Sequence, residues 1–368
     1  MMFAENRKIS LRQLQVLLLL DCFGTAVLFL PAELSKISGR ACWVAALLSG
    51  VAMAGISLLL TAVGGRMPHG TVVDWCRGCF GNFIGNVVLI GLAGKLLFDG
   101  ILELRIFSEI VCRSMLPSTP VSVVSLVILA VAGSLAAQGT ECRGRTAEIL
   151  FFLVALPLAV ILIAVALSSK YQRILPLAVP SFAEFGSSIA AVSIVFQGLT
   201  FLYFIYPDLK KPARAHHAVW KSSLLTVLLL TVMVFLCLSV YGDGVLSEKL
   251  LPSLQMLERV SFTGVFLTRQ DVLLLWFWMA SVVVFLSGTV FFGSLFGVQM
   301  CRQAENKRKT WLWVVLAVMF VVSFLPENLS AAYHLRLKAA PWLHLVYLVI
   351  VPILLLIFSG RGGRKNAP

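Results

Sequence analysis

Long apolar segments recur along the whole chain, and they constrain its fold more than any other feature. About 20 apolar residues in a helix are enough to span the ~30 Å hydrocarbon core of a bilayer. The sequence therefore predicts an all-α, polytopic membrane protein with about ten transmembrane helices in one membrane domain, 1–368. The expected spans are 11–37, 41–63, 82–110, 120–138, 146–168, 186–206, 218–241, 271–299, 311–327 and 340–359.

The composition supports a membrane location. Of 368 residues, 59% are hydrophobic and 13% are charged, whereas soluble domains have about 45–50% apolar and about 25% charged residues. The net charge of +13 would suggest a nucleic-acid partner in a soluble protein. Here the Lys and Arg side chains collect in short loops, where they set orientation instead. We therefore expect membrane lipid, and no nucleic acid, as a partner.

The distribution of cations predicts the orientation. Lys and Arg are more numerous in the loops on the N-terminal side of the membrane than in the opposite loops. By the positive-inside rule, both termini are expected to be cytoplasmic. The N-terminal apolar run has no A-x-A-like cleavage site after it, so we interpret it as a retained first membrane helix.

Two of the spans carry signals for a break. Asp21–Thr25 interrupts the first span, and Phe196–Thr200, which contains Gln197 and Gly198, interrupts the sixth. Unwound backbone within a membrane is tolerated where it lines a cavity or is buried in protein. The alternative is that the glycines only allow close helix packing.

The two breaks fall at corresponding positions in two five-helix halves, about 10–168 and 186–359. This is the pattern of inverted-repeat transporters, whose half-helix ends hold the charged groups of a small substrate. Helix N-termini favour a carboxylate, and free carbonyl groups favour an ammonium group. An amino acid has both groups, so the pattern predicts a small zwitterionic ligand.

The third span carries five charges in a membrane segment: Lys95, Asp99, Glu103, Arg105 and Glu109. At about 100° per residue they share one face of the helix. Each isolated charge at the bilayer centre would cost roughly 2.5–3.5 kcal/mol, so we expect them to pair. The i,i+4 spacing predicts the pairs Lys95–Asp99 and Arg105–Glu109. Glu103 has no partner on its own helix, so we expect it either to be exposed near the outer mouth or to pair elsewhere, and it is the candidate for a titrating group. The alternative is that these charges neutralise one another and only orient the helix, without a function.

No catalytic or metal-binding motif stands out. The sequence has no G-x-S-x-G, H-E-x-x-H or Walker-type loop. The one C-x-x-C, Cys76 and Cys79, has no second pair at zinc-ligand spacing. The histidines are expected in loops or near span ends; they are His69, His216, His217, His334 and His344. We therefore expect a protein that is not an enzyme and that has no cofactor or metal.

The segment 242–270 is the longest one expected on the outer side. Leu250, Leu254 and Leu257 recur in it at helical spacing. The pattern predicts a short amphipathic helix at the outer interface, either capping a vestibule or lying plainly on the surface.

Several segments together resemble a known family. They are ISLRQLQVLLLL, GTAVLFLPAE (24–33), ILELRIFSE followed by LPSTP (101–120), RTAEIL (145–150) and PSLQMLERVSFTGVFLTRQDVLLLWFW (252–278). In this order they are similar to the spore germination permease-like family, whose members are the B subunits of nutrient germinant receptors, the GerAB-type proteins.

The resemblance implies an amino acid–polyamine–organocation superfamily fold, with the two halves as inverted repeats. It implies the inner membrane of a bacterial spore, an A subunit and a lipoprotein C subunit as partners, and a nutrient, such as an amino acid, as ligand. Carried over by position, the implied ligand-binding residues are Gly24, Thr25, Asp99, Phe196, Gln197, Gly198, Ser287 and Gly288. Some proton-coupled relatives use a lysine in the fifth helix, and 147–168 contains none.

Three functions follow as hypotheses. The first is a receptor subunit that binds a nutrient and triggers germination. The second is a secondary amino-acid transporter that works by alternating access. The third is a scaffold that anchors other subunits and responds to no ligand.

Overall fold

The computed structural model describes residues 8–66, 71–169, 171–174, 179–258 and 270–362. Within them the regular structure is helical, apart from an isolated bridge between Ile9 and Leu209. The α-helices are α1 Leu11–Cys22, α2 Ala26–Ser38, α3 Cys42–Arg66, α4 Val72–Ser114, α5 Val121–Ala137, α6 Thr140–Ser168, α7 Phe182–Ser193, α8 Leu202–Ile205, α9 Ala215–Tyr241, α10 Asp243–Glu248, α11 Pro252–Glu258, α12 Gln270–Met300, α13 Arg308–Val322, α14 Leu329–His344 and α15 Val351–Gly362.

Helices occupy all ten predicted spans, and the chain is an all-α, polytopic membrane protein. In the described part, 5 helices are long and apolar enough to cross a bilayer individually, or up to 6 if the bent pair in the sixth span counts as one. The other spans are interrupted, carry charges or are short: α5 has 17 residues and α13 has 15. Polar and broken spans are stable in lipid when neighbouring helices cover them.

The first span is broken as predicted. α1 ends at Cys22 and α2 begins at Ala26. Between them, the amide of Phe23 donates to the carbonyl oxygen of Leu19, which closes the last turn of α1. The peptide groups of residues 23–25 thus lie between two half-helices and are deeply buried.

The sixth span is broken at the corresponding place. α7 ends at Ser193, and a 3-10 helix runs over Val195–Phe201. The two parts of the span, Phe182–Ser193 and Val195–Asp208, are bent by 56°. A 3-10 stretch has hydrogen bonds of poorer geometry than an α-helix, and in the middle of a helix it often marks a functional hinge.

α4 has a kink immediately before the predicted third span. Gly81 has φ 77°, a conformation that glycine adopts at little cost, and the expected span begins at the next residue. The segment before the kink carries the C-x-x-C. Burial raises the pKa of the Cys76 thiol to about 12, so this thiol stays protonated and is a poor nucleophile or metal ligand.

The described part of the segment 242–270 forms two short helices before residue 259, α10 and α11. Leu254 and Leu257 are buried, and the Ser253 hydroxyl donates to the carbonyl oxygen of Val27 at 2.8 Å. Leu250 is 40% exposed, and the prediction that it shares one helix with Leu254 and Leu257 was wrong. It lies outside α11, in the turn before Pro252. Residues 259–269 of this prediction lie outside the described residues.

The tenth span is also irregular. α14 passes into a π-helix over Leu345–Ile350 and then into α15. The Tyr203 hydroxyl donates to the carbonyl oxygen of Tyr347 at 2.7 Å. A π-helical turn shifts the backbone bonding pattern and is common near functional sites. Here it brings the tenth span into contact with the broken sixth span.

Candidate functional site between two helix breaks

The two breaks lie directly against each other in the centre of the bundle. A Cβ atom added to Gly198 would lie 2.6 Å from the Cβ of Asp21, and one added to Gly24 would lie 3.2 Å from Nε2 of Gln197. Gly198 is therefore required by the close approach of the Asp21 backbone, and Gly24 by the side chains that pack against it. Three groups of buried polar side chains surround this junction.

The first group, here called the break cluster, consists of Thr25, Glu103, Gln197 and Arg336. Oε1 of Glu103 accepts from the amide of Thr25 at 2.7 Å. Its other oxygen, Oε2, accepts from Nε2 of Gln197 at 3.1 Å and lies 2.7 Å from Nη2 of Arg336. All four side chains are buried. Glu103 thus finds its partner in the tenth span, as expected for a charge with no partner on its own helix.

Arg336 connects both breaks to the tenth span. Its Nη1 donates to Oγ1 of Thr25 at 2.9 Å, and its Nη2 donates to Oε1 of Gln197 at 2.6 Å. Thr25 is the residue that precedes α2, and a carboxylate at a helix N-terminus is favoured by the backbone dipoles. Glu103 therefore occupies the kind of position where the sequence predicted the carboxylate of a ligand.

The second group centres on Asp21 and Arg143. Nη2 of Arg143 lies 2.6 Å from each carboxylate oxygen of Asp21, and Nε donates to the carbonyl oxygen of Val284 at 3.1 Å. The guanidinium carbon is 4.9 Å from the centroid of the Phe201 ring. The pair is almost completely buried and joins the first, fifth, sixth and eighth spans.

Arg143 lies outside the predicted fifth span, 146–168, but inside the helix that the structure shows. α6 begins at Thr140, earlier than the predicted fifth span, because the turn at Gly139 (φ 91°) starts the helix there. The fifth span has no lysine in 147–168, but its first turn carries a buried arginine. Such a group keeps its charge because arginine does not lose its proton in proteins.

Gly288 and Ser287 lie beside this second group. A Cβ atom at Gly288 would lie 2.5 Å from Nη2 of Arg143, so the glycine makes room for the guanidinium. The Ser287 hydroxyl donates to Val284 of its own helix at 2.7 Å. Phe196 is fully buried at the kink of the sixth span, where it packs in the apolar core. The eight predicted ligand-binding residues therefore lie in separate groups and not in one.

The third group extends from Lys95 to His344. Nζ of Lys95 lies 2.8 Å from Oδ2 of Asp99 and donates to the Thr200 hydroxyl. Nε2 of His344 lies 3.4 Å from the same Asp99 oxygen, and its Nδ1 lies 3.2 Å from the Ser193 hydroxyl. The predicted Lys95–Asp99 pair is present. Asp99 belongs to this group and not to the break cluster.

His344 is 1% exposed, so the expectation that it lies in a loop or near a span end was wrong. The tenth span begins at Leu329 in the structure, earlier than the predicted residue 340, which moves His344 toward its middle. The same shift brings Arg336 into the membrane domain.

The predicted Arg105–Glu109 pair forms near the C-terminal end of α4. The Arg105 Nη2 lies 2.8 Å from Oε1 of Glu109 and donates to the carbonyl oxygen of Glu327. Arg113 lies 3.6 Å from the second carboxylate oxygen of Glu109. This pair is within one helix and does not touch either break.

Sequence reasoning identified the residues of the two breaks but missed the charges that hold them. Asp21 was part of the first break and was not assigned a role. Arg143 and Arg336 lie outside the predicted spans 146–168 and 340–359, and His344 was expected in a loop or near a span end. In 8–66, 71–169, 171–174, 179–258 and 270–362, no group of three or more His, Cys, Asp and Glu side chains is arranged to hold a metal ion.

Comparisons of the sequence identify relatives along nearly the whole chain. The model of a family described as "Spore germination protein" matches residues 8–332. Spore germination protein B2 of Bacillus subtilis (strain 168) is 22% identical over 338 residues, 90% of each chain. Spore germination protein YndE of the same organism is 22% identical over 99% of this chain and 100% of its own. Spore germination protein A2, also from this organism, is 19% identical over 83% of each chain.

Among solved structures, the crystal structure of MhsT in complex with L-phenylalanine has the same fold. It aligns with a TM-score of 0.62 and 14% sequence identity, covering 95% of this chain and 98% of that one. At this identity the similarity concerns the fold alone.

Proposed function

Because the chain belongs to the spore germination protein family, we propose that it is the membrane subunit of a nutrient germinant receptor. It binds a small nutrient, an amino acid, at the junction of the two helix breaks, and the bound state triggers germination. The role is one of binding and signalling and not of catalysis.

The observation that carries this proposal is the contact between the two breaks. Gly198 allows the broken sixth span to approach the backbone of Asp21 in the first break, and Gly24 leaves room for the side chains of Glu103 and Gln197. Buried donors and acceptors of Thr25, Gln197 and Arg336 converge there. A small molecule with opposite charges finds both kinds of group at such a place. MhsT, which shares the fold, was crystallised with L-phenylalanine.

The proposed setting follows from the family. The chain lies in the inner membrane of the spore with both termini on the cytoplasmic side. An A subunit and a lipoprotein C subunit read the change of shape. A ligand can shift such an equilibrium only through its different affinity for the two arrangements.

A substitution at the junction tests this function. Gly198→Val places a branched side chain where even a Cβ atom would meet Asp21 at 2.6 Å. We expect spores that carry it to lose their nutrient response while the protein remains in the membrane. Gly186→Val is the matched control, because it makes the same change in the same broken span where nothing lies within 4 Å of a Cβ atom. A normal response of Gly198→Val spores would refute the proposed site.

A secondary transporter is the second candidate, because a pair of broken helices is the arrangement that alternating-access transporters use. Uptake of labelled amino acids by proteoliposomes that contain the chain alone distinguishes the two. Binding without accumulation supports the receptor. Accumulation above that of protein-free vesicles supports the transporter.

A further inference from the structure

In the break cluster, the position proposed for the carboxylate of the nutrient is already occupied by a side chain of the chain itself. The amide of Thr25, which a broken first helix would offer to a ligand carboxylate, already donates to Glu103 at 2.7 Å. A Cβ atom at Gly24 would lie 2.7 Å from the same carboxylate oxygen. The chain's own side chain therefore fills the position that we assign to the nutrient, and a ligand must displace it.

We propose that the Glu103–Arg336 ion pair is the recognition element and the switch of this site: a small zwitterion inserts between the two side chains and separates them. This inference rests on the proposed function and specifies how the same site recognises its ligand. The ligand's ammonium group binds the carboxylate of Glu103, and its carboxylate binds the guanidinium group of Arg336.

Both buried charges need a new partner when they separate, and this favours a zwitterionic ligand. Glu103 and Arg336 are both buried, at 0% and 1% exposure, and their charged atoms are 2.7 Å apart. Separating such a pair leaves two uncompensated charges in a medium of low polarity, which is strongly unfavourable. A zwitterion provides a new partner for each charge. An amine without a carboxylate, or an acid without an amine, leaves one of the two charges without a partner.

The geometry also provides donors for an incoming carboxylate. Nε of Arg336 is buried and has no hydrogen-bond partner among the described residues. The amide of Thr25 becomes available when Glu103 moves. Both donors adjoin the start of α2, where backbone dipoles favour an anion. The carboxylate of an amino acid can thus take over the contacts that Glu103 makes in the closed arrangement.

Separation of the pair changes the contacts between helices. Glu103 lies on α4, Arg336 lies on α14, and both contact Thr25 at the first break. In the closed arrangement the pair holds these three elements together. Once a ligand lies between the two charges, α4 and α14 are joined through the ligand, and their separation is set by its size. This is the differential contact that a ligand-driven switch requires.

The first test uses the wild-type chain. The purified full-length protein is melted in detergent with each standard amino acid, since a ligand that binds the folded state raises its melting temperature. The amino acid that stabilises the chain most is then compared with its own amide, which lacks the carboxylate, and its N-acetyl derivative, which lacks the ammonium group. We expect each derivative to bind about tenfold more weakly or worse, because each lacks one charge.

The second test removes the pair. In the double variant Glu103→Gln with Arg336→Gln, no charge has to be compensated, so we expect the amide to bind as well as the amino acid. The matched control is Arg105→Gln with Glu109→Gln, which removes another ion pair of α4 that does not touch either break. It should retain the preference of the wild-type chain. If the first double variant does not fold, the wild-type comparison decides alone.

The outcomes separate this inference from the proposed function. If no amino acid stabilises the wild-type chain, the proposed function fails, and the inference fails with it. If an amino acid binds and either derivative binds within about threefold of it, the function stands and the ion-pair inference is overturned. Retention of the preference by the Glu103→Gln, Arg336→Gln variant would overturn it as well.

Discussion

Two ion pairs of α4 lie close in sequence but have different roles in the structure. Arg105 and Glu109 pair at 2.8 Å within one helix, at i,i+4 spacing. Glu103 pairs at 2.7 Å with Arg336, which comes from the tenth span. The local pair satisfies charges of a single helix, whereas the long-range pair fixes where the third and tenth spans lie relative to the first break. Similar distances therefore have different consequences for the fold.

The same contrast extends to Asp21 and Arg143. Both hydrogen bonds that the structure gives to the Asp21 carboxylate come from Arg143, whereas Glu103 also accepts from Thr25 and Gln197. Glu109 has two cations nearby. The number of alternative partners predicts how much the removal of one arginine costs in each case, from the largest to the smallest effect.

Arg143→Gln should have the largest effect. It leaves the Asp21 charge buried without the cation that pairs with it, and removal of one partner of a buried pair costs about 3–5 kcal/mol. We expect a loss near the upper end of this range in the free energy of unfolding, measured by denaturant titration in detergent. The double variant with Asp21→Asn should recover most of it. A single variant as stable as the wild type would disprove the dependence of Asp21 on Arg143.

Arg336→Gln should cost somewhat less, about 3 kcal/mol, at the lower end of the same range. The carboxylate of Glu103 keeps the amide of Thr25 and the side-chain amide of Gln197 as donors. The same titration measures the effect, and the cycle with Glu103→Gln isolates the pair energy. Additive effects of the two single changes would show that the long-range pair contributes no coupling.

Gly288→Ala should have an intermediate effect of about 1–3 kcal/mol, as overpacking of a filled core does. The new Cβ atom would lie 2.5 Å from Nη2 of Arg143 and would displace the guanidinium from Asp21. Gly293→Ala is the matched control on the same helix, because its Cβ atom would lie 3.4 Å from Val315. Thermal melting of both variants measures the difference, and equal melting temperatures would argue against a tight fit at Gly288.

Arg105→Gln should have the smallest effect, below the ~3 kcal/mol at the lower end of the range for a buried charge that loses its partner. Arg113 remains 3.6 Å from the Glu109 carboxylate and can compensate its charge. The free energy of unfolding is again the measure. A loss as large as that of Arg336→Gln would mean that local and long-range pairs are equivalent here, which would remove the basis of the comparison.

The sequence could predict those features of the site that arise from neighbouring residues. The breaks at Gly24 and Gly198 follow from glycine and polar residues inside apolar runs. The pairs Lys95–Asp99 and Arg105–Glu109 follow from helical spacing, which places side chains four residues apart on the same face. The partner of Glu103 could not be predicted, because no local pattern relates α4 to the tenth span.

Span boundaries account for the residues that were missed. Arg143, Arg336 and His344 lie in helices that begin earlier than the apolar runs suggest. A charged side chain at the edge of a run is normally expected in a loop, because its burial is costly without a partner. The partners that make the burial possible, such as Asp21 for Arg143, come from distant parts of the chain.

The sequence by itself determined the membrane location, the helical spans and the two breaks, because hydrophobicity and backbone preference act over a few turns of chain. Only the tertiary structure decided which buried charges meet and that Glu103 fills the position at Thr25. A buried charge must be neutralised wherever a partner can reach it, and that partner is selected by the packing of the helices.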